Sequence, residues 1–179
     1  MDGPMSPAQP QPPPPVNADK KTPATVNETR IRVRYAETDQ MGVVYHANHF
    51  IWFEVGRVEL LRQLGFSYKD MEREDDCFIA VVDARCRYKS PVHYDDEVMV
   101  RTYLKHVREK VIHFGYELRG AHDGKLLAEG ETTHIVADAK MKPRALPGKY
   151  MQVFRGAQGS LTEDSGRRTI NGQRRTTND

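Results

Sequence analysis

The chain has 179 residues, 27 basic and 25 acidic side chains and a net charge of +2, so it is sized for one domain with a substantial core. That balance excludes a strongly basic nucleic-acid binder, and the Arg167-Arg168 and Arg174-Arg175 pairs read as solvated charge in a polar stretch. No apolar run approaches the ~18 residues of a membrane span, and the N-terminus lacks the apolar core of a signal peptide, so no membrane insertion and a cytoplasmic location are expected.

Residues 1–27 hold most of the prolines, including Pro12-Pro13-Pro14-Pro15, and almost no large apolar side chains. Such a segment cannot bury enough surface to offset its ordering entropy and is expected to be a disordered or extended tail; polyproline recognition is the alternative. Glu28 to Tyr35 alternates, with Ile31, Val33 and Tyr35 on one face and Arg30, Arg32 and Arg34 on the other, the pattern of a half-buried strand. A polar bend with Gly42 follows and gathers Glu37, Asp39, His46 and His49. From about Ala47 to Leu64 the apolar residues recur at helical spacing, and with Trp52 the first half is apolar almost all round. That predicts a helix enclosed on more than one side, stopped at Gly65. Glu54 and Arg57 are spaced for an intrahelical ion pair, with a catalytic Glu54 as the alternative.

Ser67 reads as the N-cap of a short helix through Glu74. Four long alternating runs come next, at 78–88, 97–107, 110–119 and 125–138, separated by turns at 90–96, 108–109 and 120–124. The last three predict an antiparallel meander. Cys77 and Cys86 fit neither a zinc nor a redox spacing and read as reduced core residues. Residues 151–179 read as a flexible polar tail, leaving 28–150 as the folded unit. One enclosed helix and about five long strands predict an α+β architecture, a curved antiparallel sheet wrapped around a long central helix. The open edges of such a sheet predict a homodimer.

The stretch Tyr35-x-Glu-Thr-Asp39-x-Met-Gly42-Val-Val-Tyr45-His46-x-Asn48-x-Phe50, continued by Phe53-Glu54-x-Gly56-Arg57, resembles the signature of hotdog-fold acyl-CoA thioesterases. The nearest groups are the 4-hydroxybenzoyl-CoA and the Tol–Pal-associated enzymes, and Lys142-Pro-Arg-Ala-Leu-Pro147 is similar to the ending of the latter. The resemblance implies the hotdog fold over about 28–150, with Asp39 as the catalytic carboxylate. It implies that the backbone N–H of His46, at the start of the central helix, points at the thioester carbonyl. It places coenzyme A phosphates on Arg108 and Lys110, although Glu109 departs from the basic turn of some relatives. Tyr45 is expected at the pocket mouth. The resemblance also implies homodimers, commonly paired into homotetramers, with each site shared between two copies, and no cofactor beyond the coenzyme A of the substrate.

Thioester hydrolysis needs an oxygen nucleophile, a donor for the oxyanion and an exit for the thiolate. Asp39 serves either by direct attack, through a mixed anhydride, or by deprotonating water. A helix entrance supplies unpaired N–H donors and the positive end of the macrodipole. Asp39 also reads as a simple turn cap, and His46 with His49 lacks a third ligand for a metal. Other readings of the same fold are a 3-hydroxyacyl-thioester dehydratase and a non-catalytic acyl-CoA-binding module.

Overall fold

The computed structural model describes residues 25–158; the expectations for the segments on either side lie outside the described residues. Five strands form, β1 (Val26–Arg32), β2 (Phe78–Tyr88), β3 (Glu97–Val107), β4 (Val111–Gly120) and β5 (Leu126–Ala137). Alternation places Val98, Val100, Thr102 and Leu104 of β3 and Ile112, Phe114, Tyr116 and Leu118 of β4 on one buried face. Neighbouring strands are all antiparallel, in the order β1-β3-β4-β5-β2, so β3, β4 and β5 make the expected meander. Register shifts at Val81/Asp83, Leu104/His106 and Leu118/Arg119 add the bend and twist by which the sheet curves.

The long helix α1 (Asn48–Gln63) packs against β1 and β3 and buries Trp52, Phe53, Gly56, Leu60 and Leu61. Phe53 stacks on Tyr116 with ring centroids 4.4 Å apart. Leu64 caps α1, and Gly65 follows at φ 89°, a left-handed conformation that suits glycine at a helix stop. The short helix α2 (Tyr68–Asp75) begins as expected, with Ser67 Oγ accepting the Asp70 N–H at 3.1 Å. Cys77 is buried and Cys86 half-buried, and both are free thiols.

Four expectations are corrected. Tyr35 is 78% exposed, because the chain leaves the ladder after Arg32 and turns before the alternation ends. One flank of α1 is open rather than enclosed: Ile51 is 49% and Val55 38% exposed. Among the described residues Arg57 makes no ion pair with Glu54. It turns inward instead, its Nε donating to Tyr68 Oη at 2.9 Å and its Nη1 to Tyr116 Oη at 3.3 Å. That contact continues through the hydroxyls of Tyr116 and Thr132, 2.8 Å apart, to His134 Nε2, 2.8 Å from Thr132 Oγ1. Burial pushes the His134 imidazole down to about 3, so it sits in the core as a neutral ring. Finally, the boundary at 150 falls inside a third helix, α3 (Gly148–Ala157), which buries Tyr150, Phe154 and Ala157. Its Tyr150 and Phe154 rings meet Phe66 edge-on at 4.8 and 6.1 Å. At the other end, β1 begins at Val26, inside the segment assigned to the tail, and the Thr25 N–H donates to the Ala157 carbonyl at 3.0 Å.

The sheet meets α1 most tightly at Gly130, where a Cβ would lie 2.2 Å from the Phe53 ring. Phe53 is fully buried, so the ring has no room to withdraw. Gly130→Ala is expected to lower the unfolding free energy by about 1–3 kcal/mol in urea titration. An unchanged midpoint would contradict this packing.

Candidate active site

After β1 the chain makes one 3₁₀ turn, Tyr35–Glu37, and a bend that returns to Tyr45. Glu37 is 4% exposed and organises both. Its carboxylate accepts from the Arg34 N–H at 2.7 Å, from Arg34 Nη2 at 2.9 Å and from Trp52 Nε1 at 3.0 Å. Its carbonyl accepts from the Tyr45 N–H at 2.9 Å and from Asn48 Nδ2 at 2.7 Å. One residue thereby fixes the start of the bend, its end and the entrance of α1. Burial pushes the Glu37 carboxyl up, but the Arg34 and Trp52 hydrogen bonds and the Arg34 charge outweigh it and hold the group below the usual range.

Asp39 sits in the bend, half-buried. Its N–H donates to the Val43 carbonyl and its carbonyl accepts from the Gly42 N–H, both at 2.9 Å, and Gly42 takes φ 75°. Asp39 Oδ1 accepts from the Met41 N–H at 2.8 Å, which fixes the side chain. The turn-cap role expected as an alternative therefore exists, and it occupies one carboxylate oxygen. Among the described residues the other oxygen has no partner. The Val44 N–H donates to the Val92 carbonyl at 2.8 Å, tying the bend to the loop before β3.

Between these segments lies an open cavity of about 360 Å³. Asp39, His46 and His49 line it together with Met41, Val44, Tyr88 and Val92. His46 is exposed and stands just ahead of α1, whose N-cap, Ala47, has no polar side chain to cap with. Among the described residues the backbone N–H groups of His46 and Ala47 have no acceptor, while the N–H of Asn48 reaches the Tyr45 carbonyl at 2.9 Å. Tyr88 Oη donates to the His46 carbonyl at 3.0 Å and so ties β2 to this turn.

The structure thus brings Asp39 and His46 to one cavity. Tyr45 stands beside it, 47% exposed, its ring 4.3 Å from that of His46, but it does not line the cavity. Arg108 and Lys110 are exposed in the β3–β4 turn and do not line the cavity either; Arg108 Nε donates to His106 Nε2 at 2.8 Å. Glu54 is exposed and does not line the cavity. Tyr88 and His49 are lining residues to which the residue pattern assigned no part in the site. Tyr88 carried no signal beyond its place at the end of an alternating strand. His49 carried one, a polar residue on the otherwise apolar start of a helix. No group of three or more His, Cys, Asp or Glu side chains among the described residues is arranged to hold a metal ion, and no described helix is long and apolar enough to cross a membrane.

A five-stranded antiparallel sheet curved around one long helix is the hotdog arrangement. Residues 33–154 match the Thioesterase-like superfamily, and the chain belongs to that family. It is 42% identical to the Bacillus subtilis protein YneP over 113 residues, 63% of this chain and 80% of that one. It is 34% identical to the acyl-CoA thioester hydrolase YbgC of Escherichia coli O6:H1 over 126 residues, 70% of this chain and 92% of that one. A solved DHNA-CoA thioesterase from Staphylococcus aureus superposes with a TM-score of 0.70 at 33% identity, covering 73% of this chain and 89% of that one.

Because its folded carboxyl is depressed, Glu37 contributes stability above the ordinary carboxylate value of 4.5, and that contribution is lost as pH falls through the lower folded value. Glu37→Gln keeps an acceptor for Trp52 but removes the charge. It should cost on the order of 1 kcal/mol at neutral pH, and urea titrations should show the gap to wild type closing on acidification. A gap of equal size in acid would contradict the charged state of Glu37.

Proposed function

We propose that the chain hydrolyses acyl-CoA thioesters, with Asp39 as the reacting carboxylate. The observation that carries this reading is the shared cavity: Asp39, with one unpartnered oxygen, lines the same space as His46, whose backbone N–H is free at the mouth of α1. A thioester carbonyl placed there meets an oxygen nucleophile on one side and a helix-terminal donor on the other. The developing oxyanion accepts from the His46 N–H, favoured by the positive end of the helix dipole. The carbon–sulfur bond then breaks and coenzyme A leaves as a thiolate, a good enough leaving group to need no strong general acid.

Two routes use Asp39. In one its carboxylate attacks the carbonyl carbon, forming a mixed anhydride that water opens to the free acid. In the other it takes a proton from water as that water attacks. Both consume one water and need no cofactor, since coenzyme A belongs to the substrate. The acyl group is a short aliphatic or an aromatic one, and the reaction takes place in the cytoplasm.

The site is completed by a second copy. Strand β2 stands at one edge of the sheet with Val81 52% and Val82 59% exposed, and α1 leaves Ile51 and Val55 partly uncovered. Pairing two β2 edges across a two-fold axis covers the edge and its exposed valines. In such a homodimer, which can pair again into a homotetramer, Arg108 and Lys110 of one copy hold the coenzyme A phosphates at the site of the other, with Tyr45 at the mouth.

Thiol release from a panel of acyl-CoAs tests the reading. Wild type should turn over at least one member, and Asp39→Asn, which retains the acceptor for the Met41 N–H, should lose roughly 100- to 10,000-fold in kcat. Tight binding without turnover by wild type, or an Asp39→Asn rate equal to wild type, would overturn it. Two measurements separate the routes: oxygen-18 from water entering Asp39 in a single turnover marks an anhydride opened at the Asp39 carbon, and hydroxylamine trapping of an acyl-enzyme marks an anhydride opened at either carbon; activated water gives neither.

A further inference from the structure

His49 is the cavity residue for which the bend has no structural use. It lies in the first turn of α1 and is 4% exposed. Helical side chains lean back toward the N-terminus, and the ring accordingly packs edge-on against Tyr88 at 4.8 Å and tilted against Trp52 at 5.2 Å. It lines the cavity shared by Asp39 and His46. Its Nδ1 is sealed from solvent with no hydrogen-bond partner, whereas Nε2 is not sealed in this way.

That asymmetry selects one tautomer. A neutral imidazole has one N–H and one bare nitrogen. With no hydrogen-bond partner at Nδ1, a proton there would be unpaired, so the bare lone pair is placed at Nδ1 and the proton on Nε2. Burial lowers the group below the ordinary histidine value, the His46 backbone pulls it partly back, and the nearby His46 ring lowers it again. The other ionisable groups on the cavity wall are Asp39, Tyr88 and Lys89, with Glu37 behind Trp52. A neutral N–H at the positive end of a helix suits an oxygen that gains negative charge and does not suit proton shuttling.

We propose that His49 is a further catalytic residue: its Nε2–H donates to the carbonyl oxygen of the bound thioester as the tetrahedral intermediate forms, beside the backbone N–H groups of His46 and Ala47. This rests on the thioesterase reading above. No bond to His49 is made or broken, and the imidazole is neutral before and after the step.

His49→Phe keeps a ring between Tyr88 and Trp52 and removes the donor; His49→Gln keeps an N–H. The Phe variant should lose roughly 100-fold in kcat with KM and urea midpoint close to wild type, and the Gln variant should recover part of the loss. A Phe variant with wild-type kcat, or one impaired in KM alone, overturns the proposal while leaving the thioesterase reading intact. No turnover by wild type sinks that reading and this proposal with it. Nitrogen-15 NMR of histidine-labelled protein checks the tautomer independently of turnover. At about pH 8 His49 should be a neutral Nε2–H ring and should gain its second proton below the ordinary histidine range; an Nδ1–H tautomer, or protonation above that range, overturns the assignment.

Discussion

The buried carboxylate of Glu37 is the contact on which the site depends. Its side chain holds Arg34 and the indole of Trp52, and its carbonyl holds Tyr45 and Asn48. Trp52 is itself 1% exposed and belongs to the core beneath α1. The bend is therefore anchored to the helix at its base, not merely laid over it. Asp39 and His46 fall between the anchored points, so their relative placement is set by a charged residue that does not itself line the cavity. A buried carboxylate is costly unless fully hydrogen-bonded, and here its two oxygens share three donors. The cost of burial is offset locally, and the result is a rigid bend in which Asp39 keeps one oxygen free.

The unsatisfied groups of this region are concentrated where the chemistry is assigned. The free N–H groups of His46 and Ala47, the open oxygen of Asp39 and the orphaned Nδ1 of His49 all cluster around the cavity between the bend and the entrance of α1. Folded proteins rarely leave such groups unpaired, and departures tend to fall at functional sites. Two other orphans, Thr102 Oγ1 and His134 Nδ1, are in the core away from that cavity. Thr102 lies under Gly56, where α1 and β3 approach so closely that a Cβ would sit 2.3 Å from the hydroxyl oxygen. The Thr102 orphan is a mark of tight helix–sheet packing rather than of a ligand site.

Much of the fold was legible because one physical rule governed each stretch. Strand β3 ran over the residues its alternation marked, since a single buried face dictates period two. The misread stretches are those where a second influence overrode the pattern. Tyr35 continued the alternation of β1, but Arg34 is captured by Glu37 and the chain turns before Tyr35 can pack. Val82 and Tyr88 had the right parity yet stay exposed, because β2 is an edge strand and parity says nothing about what covers a sheet. α3 carried a helical spacing, Tyr150, Phe154 and Ala157, inside a stretch polar enough to read as a tail. The motif around Asp39 and His46 singled them out together, and both line one cavity. Glu37 and His49 lie in the same motif, but their roles depend on which way each side chain turns, and spacing does not encode that.

The central claim is that the bend held by Glu37 delivers Asp39 and the entrance of α1 to opposite sides of one thioester carbonyl. A crystal structure of Asp39→Asn with a bound acyl-CoA tests it most directly. The account predicts the carbonyl oxygen within hydrogen-bond reach of the His46 N–H and the substituted amide side chain at position 39 against the carbonyl carbon. A thioester bound outside this cavity, or inside it with its carbonyl oxygen turned away from the start of α1, would contradict it.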